Sequence, residues 1–155
     1  MTPPPAPALI HVLHLEVTVA AAVEVGSTPK GLRRLVPITG GHVSGPLFSG
    51  RVLPGGADIQ HVRSEIETHV LARYTVESNE GEIVLIANSG IRTGSAEDMA
   101  RLRRDEPVDP AHIYFRSTPV FETAAPRLAR LNSHIYLGSG SRRAGLVVFD
   151  IFEAS

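Results

Sequence analysis

Apolar and polar residues alternate with a period of two along most of this chain. From Ile10 to Val25 one row carries His11, Leu13, Leu15, Val17 and Val19, and the other Ile10, Val12, His14, Glu16 and Thr18. That rhythm, rich in Val and Thr, predicts one long strand, or two with a kink near Ala20. Gly26 to Gly31 is turn chemistry, and Arg33 to Thr39 reads as a short extended piece ended by Gly40-Gly41. After the turn Ser44-Gly45-Pro46, Leu47 to Leu53 predicts a strand closed by Pro54-Gly55-Gly56, and Asp58 to Arg63 predicts another. His69 to Glu77 separates cleanly, with Val70, Ala72, Tyr74 and Val76 on one face. Ser78 to Gly81 is a hairpin loop, and Glu82 to Asn88 returns beside it.

Ser95-Ala96-Glu97-Asp98 has the form of a capping box, predicting a short helix to about Arg104 that Pro107 and Pro110 end. Ile113 to Glu122 is extended around Pro119, where a bulge is expected to reset the alternation. Leu131 to Leu137 and Leu146 to Phe152 are the last predicted strands, joined by the turn Gly138 to Gly145. About nine strands and one short helix predict an all-β fold, an antiparallel closed or nearly closed β-barrel. Closure removes sheet edges that so little helix could not cover. The prolines of residues 1–7 predict an extended arm ahead of a single domain over 8–155.

Composition narrows the function classes. Fifteen basic residues against sixteen acidic ones argue against nucleic acid or an anionic membrane as partner. No cysteine is present, so disulfides, thiolate metal sites and cysteine nucleophiles are excluded. The first basic residue is Lys30, which does not suit a secretory signal, and no apolar run suits a membrane span. A cytoplasmic location is the expectation. His11 and His14 face opposite ways on a strand, and no paired-histidine metal motif, phosphate loop or nucleophile elbow occurs. No metal and no cofactor are expected. A homo-oligomer is expected if any strand edge stays open.

Several blocks occur in an order that resembles one family. They are Ile38-Thr39-Gly40-Gly41 with Ser44-Gly45-Pro46, then Gly50 to Asp58, Ala72-Arg73-Tyr74-Thr75, and Asn88 with Gly90 and Arg92. Tyr114-Phe115-Arg116, Phe121-Glu122-Thr123, Leu131-Asn132 and Gly138 to Arg142 follow. Together they resemble the family of domain of unknown function 3237, from about Glu24 to Glu153. The chain departs from that pattern at Ile59, where the family usually has Trp, and at Leu71, where it has an acidic residue; Ser64 to Thr68 also departs from the usual Asp-Gly turn. The resemblance implies a compact barrel of lipocalin-like form. It also implies kinship with cofactor-independent isomerases or cyclases that act on phenolic or polyketide-like metabolites.

A small barrel either fills its interior with side chains or holds one small ligand, so polar residues on core-facing rows carry the interest. Asp58 and Gln60 share a face directly after the double-glycine turn. Tyr114 and Arg116 share a face too, and if it points inward, a phenol beside a permanent cation can stabilise an enolate or phenolate. Periodicity leaves open which face is the inside. On this reading Tyr114, Arg116, Glu122 and Asp58 are the candidate catalytic residues. Arg73, Gln60, Asn88, Asn132 and Arg92, the last in a loop able to cover the barrel, are candidate ligand contacts. Arg101, Arg103, Arg104, Arg142 and Arg143 read as solvated charges. The function expected is proton transfer without a cofactor, by an isomerase or intramolecular cyclase, on a small aromatic or unsaturated carbonyl compound. A barrel that carries an apolar metabolite unchanged, or one whose interior is simply packed, are the alternatives.

Overall fold

Ten strands form the computed structural model, which describes residues 1–155, and the eight that close into a barrel use the alternation to aim every second side chain at one interior. They are β1 (Leu9–Val19), β2 (Val23–Thr28), β3 (Gly31–Ser44), β4 (Gly50–Val52), β5 (Gly56–Ser64), β6 (Glu67–Ser78), β7 (Ile83–Thr93), β8 (Tyr114–Thr123), β9 (Ile135–Arg143) and β10 (Leu146–Ala154). One helix, α1 (Ala96–Arg103), lies between β7 and β8. All pairings are antiparallel. Eight strands close a barrel in the order β1, β10, β9, β8, β7, β6, β5, β3 and back to β1. β2 and β4 are additions against β3, with β4 also touching β6.

Closure depends on β3 bending from one set of neighbours to another. Its first half pairs with β2 and β5, and its second half with β1 and β4. The predicted end at Gly40-Gly41 is not an end, because β3 runs through both glycines. A Cβ on Gly41 would come within 2.1 Å of the Glu16 carbonyl oxygen, so the glycine permits close approach of β1 where a turn was expected. Gly140 on β9 does the same for side chains. Its bare Cα leaves room for Phe115 and Phe149, whose rings meet edge to face at 5.0 Å.

The hairpin of β6 and β7 matches its prediction, in unbroken register from Glu67↔Thr93 to Glu77↔Ile83. α1 matches too, with Ser95 as N-cap accepting a hydrogen bond from the Asp98 amide at 3.0 Å. Its Met99 and Leu102 are buried. The strand expected over Leu131 to Leu137 is instead a 3₁₀ segment, Pro126–Asn132, followed by β9. Leu128 and Leu131, three apart, eclipse one another on a 3₁₀ helix and bury together, which a strand could not do.

The interior divides lengthwise. On β7 the inward row runs Val84, Ile86, Asn88, Gly90, Arg92, passing from apolar to charged. Around Val84 and Ile86 the barrel is filled by Leu13, Leu15, Val76, Phe121, Tyr136 and Ile151. Around Asn88 and Arg92, towards α1, polar and charged groups join the apolar wall.

Candidate functional site

The polar half of the interior is assembled from five strands. β3 contributes Arg34 below its N-terminal turn, on the inward row that continues with Val36 and Ile38. β5 contributes Asp58 and Gln60, β6 Tyr74, β7 Asn88 and Arg92, and β9 Arg142. All of these except Arg34 surround, with apolar walls, a small inner space of about 40 Å³. Directly beyond it, sharing Val19, Val36, Gln60, Arg92 and Arg142, lies a mouth of about 350 Å³. The mouth is bounded by the connection Ala20-Ala21-Ala22 and by the last turn of α1 with Arg103 to Asp105.

One chain of hydrogen bonds fixes the acid at its floor. Arg34 donates from Nε to Glu24 (2.8 Å), from one terminal nitrogen to the Gln60 Oε1 (3.3 Å), and from the other to the Arg103 carbonyl (3.1 Å). Gln60 then donates from Nε2 to Asp58 Oδ2 at 2.9 Å, and the Leu71 amide donates to Asp58 Oδ1 at 2.9 Å. Burial pushes the Asp58 carboxyl above its ordinary value, against the opposing pull of those two donors and of the Arg92 and Arg142 charges. A carboxyl raised in this way can hold or release a proton nearer neutrality than an exposed one.

Arg92 is 3% exposed, and its Nε is buried without an acceptor. Its guanidinium lies 5.5 Å from the Phe115 ring centroid. Burial lowers its pKa to about 10, so it stays cationic at neutral pH. The Asn88 carboxamide oxygen beside it is also buried and unpaired. Tyr74 is buried, and that burial, with the Asp58 charge adding to it, drives its phenol far above 10 and keeps it neutral. The cluster is a fixed acid, a cation with free donors and a neutral phenol around one space open at one end, suited to receiving negative charge on a ligand oxygen.

Several residues singled out from the sequence stand elsewhere. Tyr114, Arg116 and Glu122 all point outward, because β8 keeps strict alternation from Tyr114 to Thr123 with Phe115, Ser117, Pro119 and Phe121 inside. Pro119 introduces no bulge, and its register with β7 is continuous from Val84↔Thr123 to Thr93↔Tyr114. Arg116 instead lies 5.6 Å from the Tyr114 ring centroid on the outer wall and donates to the Phe115 carbonyl. The two line an open outer groove of about 560 Å³ with Ile59 and Leu71, so both departures from the family pattern face away from the interior. Arg73 is exposed on the outer face of β6. Asn132 is exposed and bonds both backbone groups of Thr123, tying the 3₁₀ segment to β8. Arg92 belongs to β7 and not to a covering loop.

Asp58, Gln60, Asn88 and Arg92 do come together. Arg34 and Arg142 were missed. Arg142, read as solvated, is 13% exposed and pairs with Asp105 at 2.8 Å. Arg34 could have been found from its parity with Val36 and Ile38. Tyr74 lay on a row read as plain core, and only the polarity of its neighbours distinguishes it.

An eight-stranded barrel with one polar, open end defines a class of ligand-sized β-barrels. The chain belongs to the family described as protein of unknown function (DUF3237), whose pattern matches residues 7–154. It is 43% identical over 135 residues to a UPF0311 protein of Rhodopseudomonas palustris, covering 87% of this chain and 86% of that one. The crystal structure of a conserved protein of unknown function from R. palustris superposes with a TM-score of 0.91 at 37% identity, over the full length of both chains. A structure described as a beta-barrel like protein from Acinetobacter baumannii gives 0.87 at 34% identity, also over both full lengths. An enzyme from Penicillium herquei shares the fold at 17% identity, with a TM-score of 0.73 over 100% of this chain and 99% of that one. No helix is long and apolar enough to cross a membrane.

Proposed function

We propose that the barrel is a cofactor-independent proton-transfer enzyme, an isomerase or intramolecular cyclase acting on a small aromatic or unsaturated carbonyl metabolite. The observation that carries this reading is Asp58, raised by burial and held in the inner space below the mouth with Arg92, whose buried Nε has no acceptor. As base, Asp58 takes a proton from the carbon next to the carbonyl, or from a phenol of the ligand. The electron pair moves onto the carbonyl oxygen, or the phenol oxygen forms a new C–O bond and pushes a conjugated pair there. Arg92 meets the oxygen that becomes negative. Asp58 then returns its proton to carbon, giving an isomer or a ring with no net change in atoms. Tyr74, neutral and buried, is a second donor to that oxygen.

A carrier of long apolar molecules fits less well, since the enclosed space is about 40 Å³ and its open end is charged. That a distant neighbour of the same fold is described as an enzyme supports catalysis without assigning its chemistry.

The test is deuterium uptake from D₂O into a panel of phenolic ketones and chalcones, read by mass spectrometry. Asp58→Asn is expected to lower uptake by about 10²-fold or more, the usual weight of a positioned acid–base group. Equal uptake by parent and variant would remove Asp58 from the chemistry.

A further inference from the structure

The mouth holds more positive charge than its own acids balance. Arg34 is paired with Glu24, and Arg142 with Asp105. Arg104 is paired with Glu106, and Arg92 and Arg103 are left without an ion-pair partner. Each has a nitrogen wholly buried with no acceptor, Nε in Arg92 and Nη1 in Arg103. Arg92 reaches the cavity from β7 below, and Arg103 from the last turn of α1. Burying a guanidinium costs free energy unless an anion or a set of acceptors meets it; Asp58, in the same inner space, offsets part of the Arg92 charge, but no protein acceptor meets Arg92 Nε or Arg103 Nη1. Neutral hydroxyls on a ligand could accept hydrogen bonds but could not offset the charge of Arg103.

The position of Arg103 is itself fixed. Its carbonyl accepts from Arg34, which also holds Gln60 and Glu24, so the helix end is tied to the same network that orients Asp58. The opposite rim is the Ala20-Ala21-Ala22 connection, which offers methyl groups to a hydrocarbon or aromatic body. The mouth is thus cationic on one side and apolar on the other.

We infer that this mouth is an oxyanion subsite, and that the ligand is an organic acid whose carboxylate or phosphate docks on Arg103 while its reacting oxygen reaches Arg92. Only the reach of the reacting oxygen to Arg92 rests on the proton-transfer reading. Guanidinium recognises either anion through paired, parallel N–H donors, so the shared chemistry is a pair of oxygens carrying negative charge.

Calorimetric titration of the full chain with 4-hydroxycinnamate, 4-hydroxycinnamamide and inorganic phosphate tests it. The acid is expected to bind at least about tenfold more tightly than the amide, the effect of one charge-assisted contact. Phosphate should compete with the acid. Added salt should weaken the acid and leave the amide unchanged. Arg103→Gln should erase the preference for the acid without altering the amide, whereas Arg103→Lys should keep part of it. Equal binding of acid and amide, an unchanged preference in Arg103→Gln, or no binding of any probe at millimolar concentration overturns the inference. Turnover is not read in these titrations. An acid preference without Asp58-dependent deuterium uptake keeps the subsite and removes the catalytic reading, and uptake from neutral ketones with no acid preference does the reverse.

Discussion

A buried charge is informative in proportion to how little the protein does to satisfy it. Glu153 is 3% exposed, yet Arg130 meets both its oxygens at 2.6 to 3.0 Å and the Tyr136 hydroxyl donates at 3.1 Å, so its role is to lock β10 to the 3₁₀ segment. Arg92 has no such escort, its Nε being buried without an acceptor. His14, only half-buried, is escorted in the same way. Its Nδ1 lies 2.9 Å from Asp150 Oδ1, which His11 also meets at 2.9 Å, and Glu16 faces its Nε2 at 3.3 Å. The bond to Asp150 raises His14 above 6.5, with burial opposing it and Glu16 adding to it. Asp150 falls below 3.8, because its bonds to His14 and His11 outweigh the upward push of burial. The His14 contribution is whole below pH 6.5 and is lost as pH rises through its raised value. The Asp150 contribution is whole above pH 3.8 and is lost as pH falls through its lowered value. The stability gap between parent and His14→Gln should therefore be widest between those two ordinary values and should close above neutrality, as urea unfolding at a series of pH values will check. A gap that widens with rising pH contradicts the assignment. At this scale the sequence was half legible. Parity with Val62 and with Val84 puts Gln60 and Asn88 inside, whereas β8 carries a polar or aromatic residue on each face near its start, so Tyr114 and Phe115 compete for the interior and only packing decides. Arg34 and Arg142 escaped notice because arginine defaults to water, and their inward placement depends on acids brought from elsewhere, Glu24 on β2 and Asp105 just after α1.

Elements succeed or fail according to whether their cues are local. The α1 cap is local: Ser95 accepts from Asp98, acidic residues occupy the first turn and basic ones the last. Ser95→Ala should cost about 1 kcal/mol, seen as a lower urea midpoint at unchanged slope. If the midpoint does not move, the cap is not holding the helix. The β6–β7 hairpin is local as well, with Ser78 Oγ accepting from the Glu80 and Glu82 amides across the loop. The continuation of β3 past Gly41 and the shift of β9 to Ile135 are not local, since each is imposed by a neighbour far along the chain. β9 meets β8 in register only at Arg116↔Ser139 and Ser117↔Gly138, and beyond that point the 3₁₀ segment and Tyr136 against Phe121 fill the gap.

Closure is a property of the whole molecule. The antiparallel neighbours of β1 are β10 and β3, so the first strand joins the last across nearly the entire sequence. Such contacts are slow to form and are won only after the rest of the wall exists. They also bring the two extremities of the domain into direct contact, with the Ser155 amide on the Ala8 carbonyl at 3.0 Å and the Ala8 amide on Ser155 Oγ at 2.9 Å. In topological terms the barrel is nearly a ring whose opening point is arbitrary. A circular permutant that joins residue 155 to residue 1, with the proline-rich residues 1–7 serving as tether, and that begins at Gly81 should fold to the same far-UV circular dichroism spectrum as the parent. Loss of that spectrum would mean that the β6–β7 loop, and not the meeting of the ends, dictates how the wall assembles. Success would turn the seam beside Ala8 and Ser155 into a hinge-free splice, through which the barrel could be inserted whole into the loop of another protein.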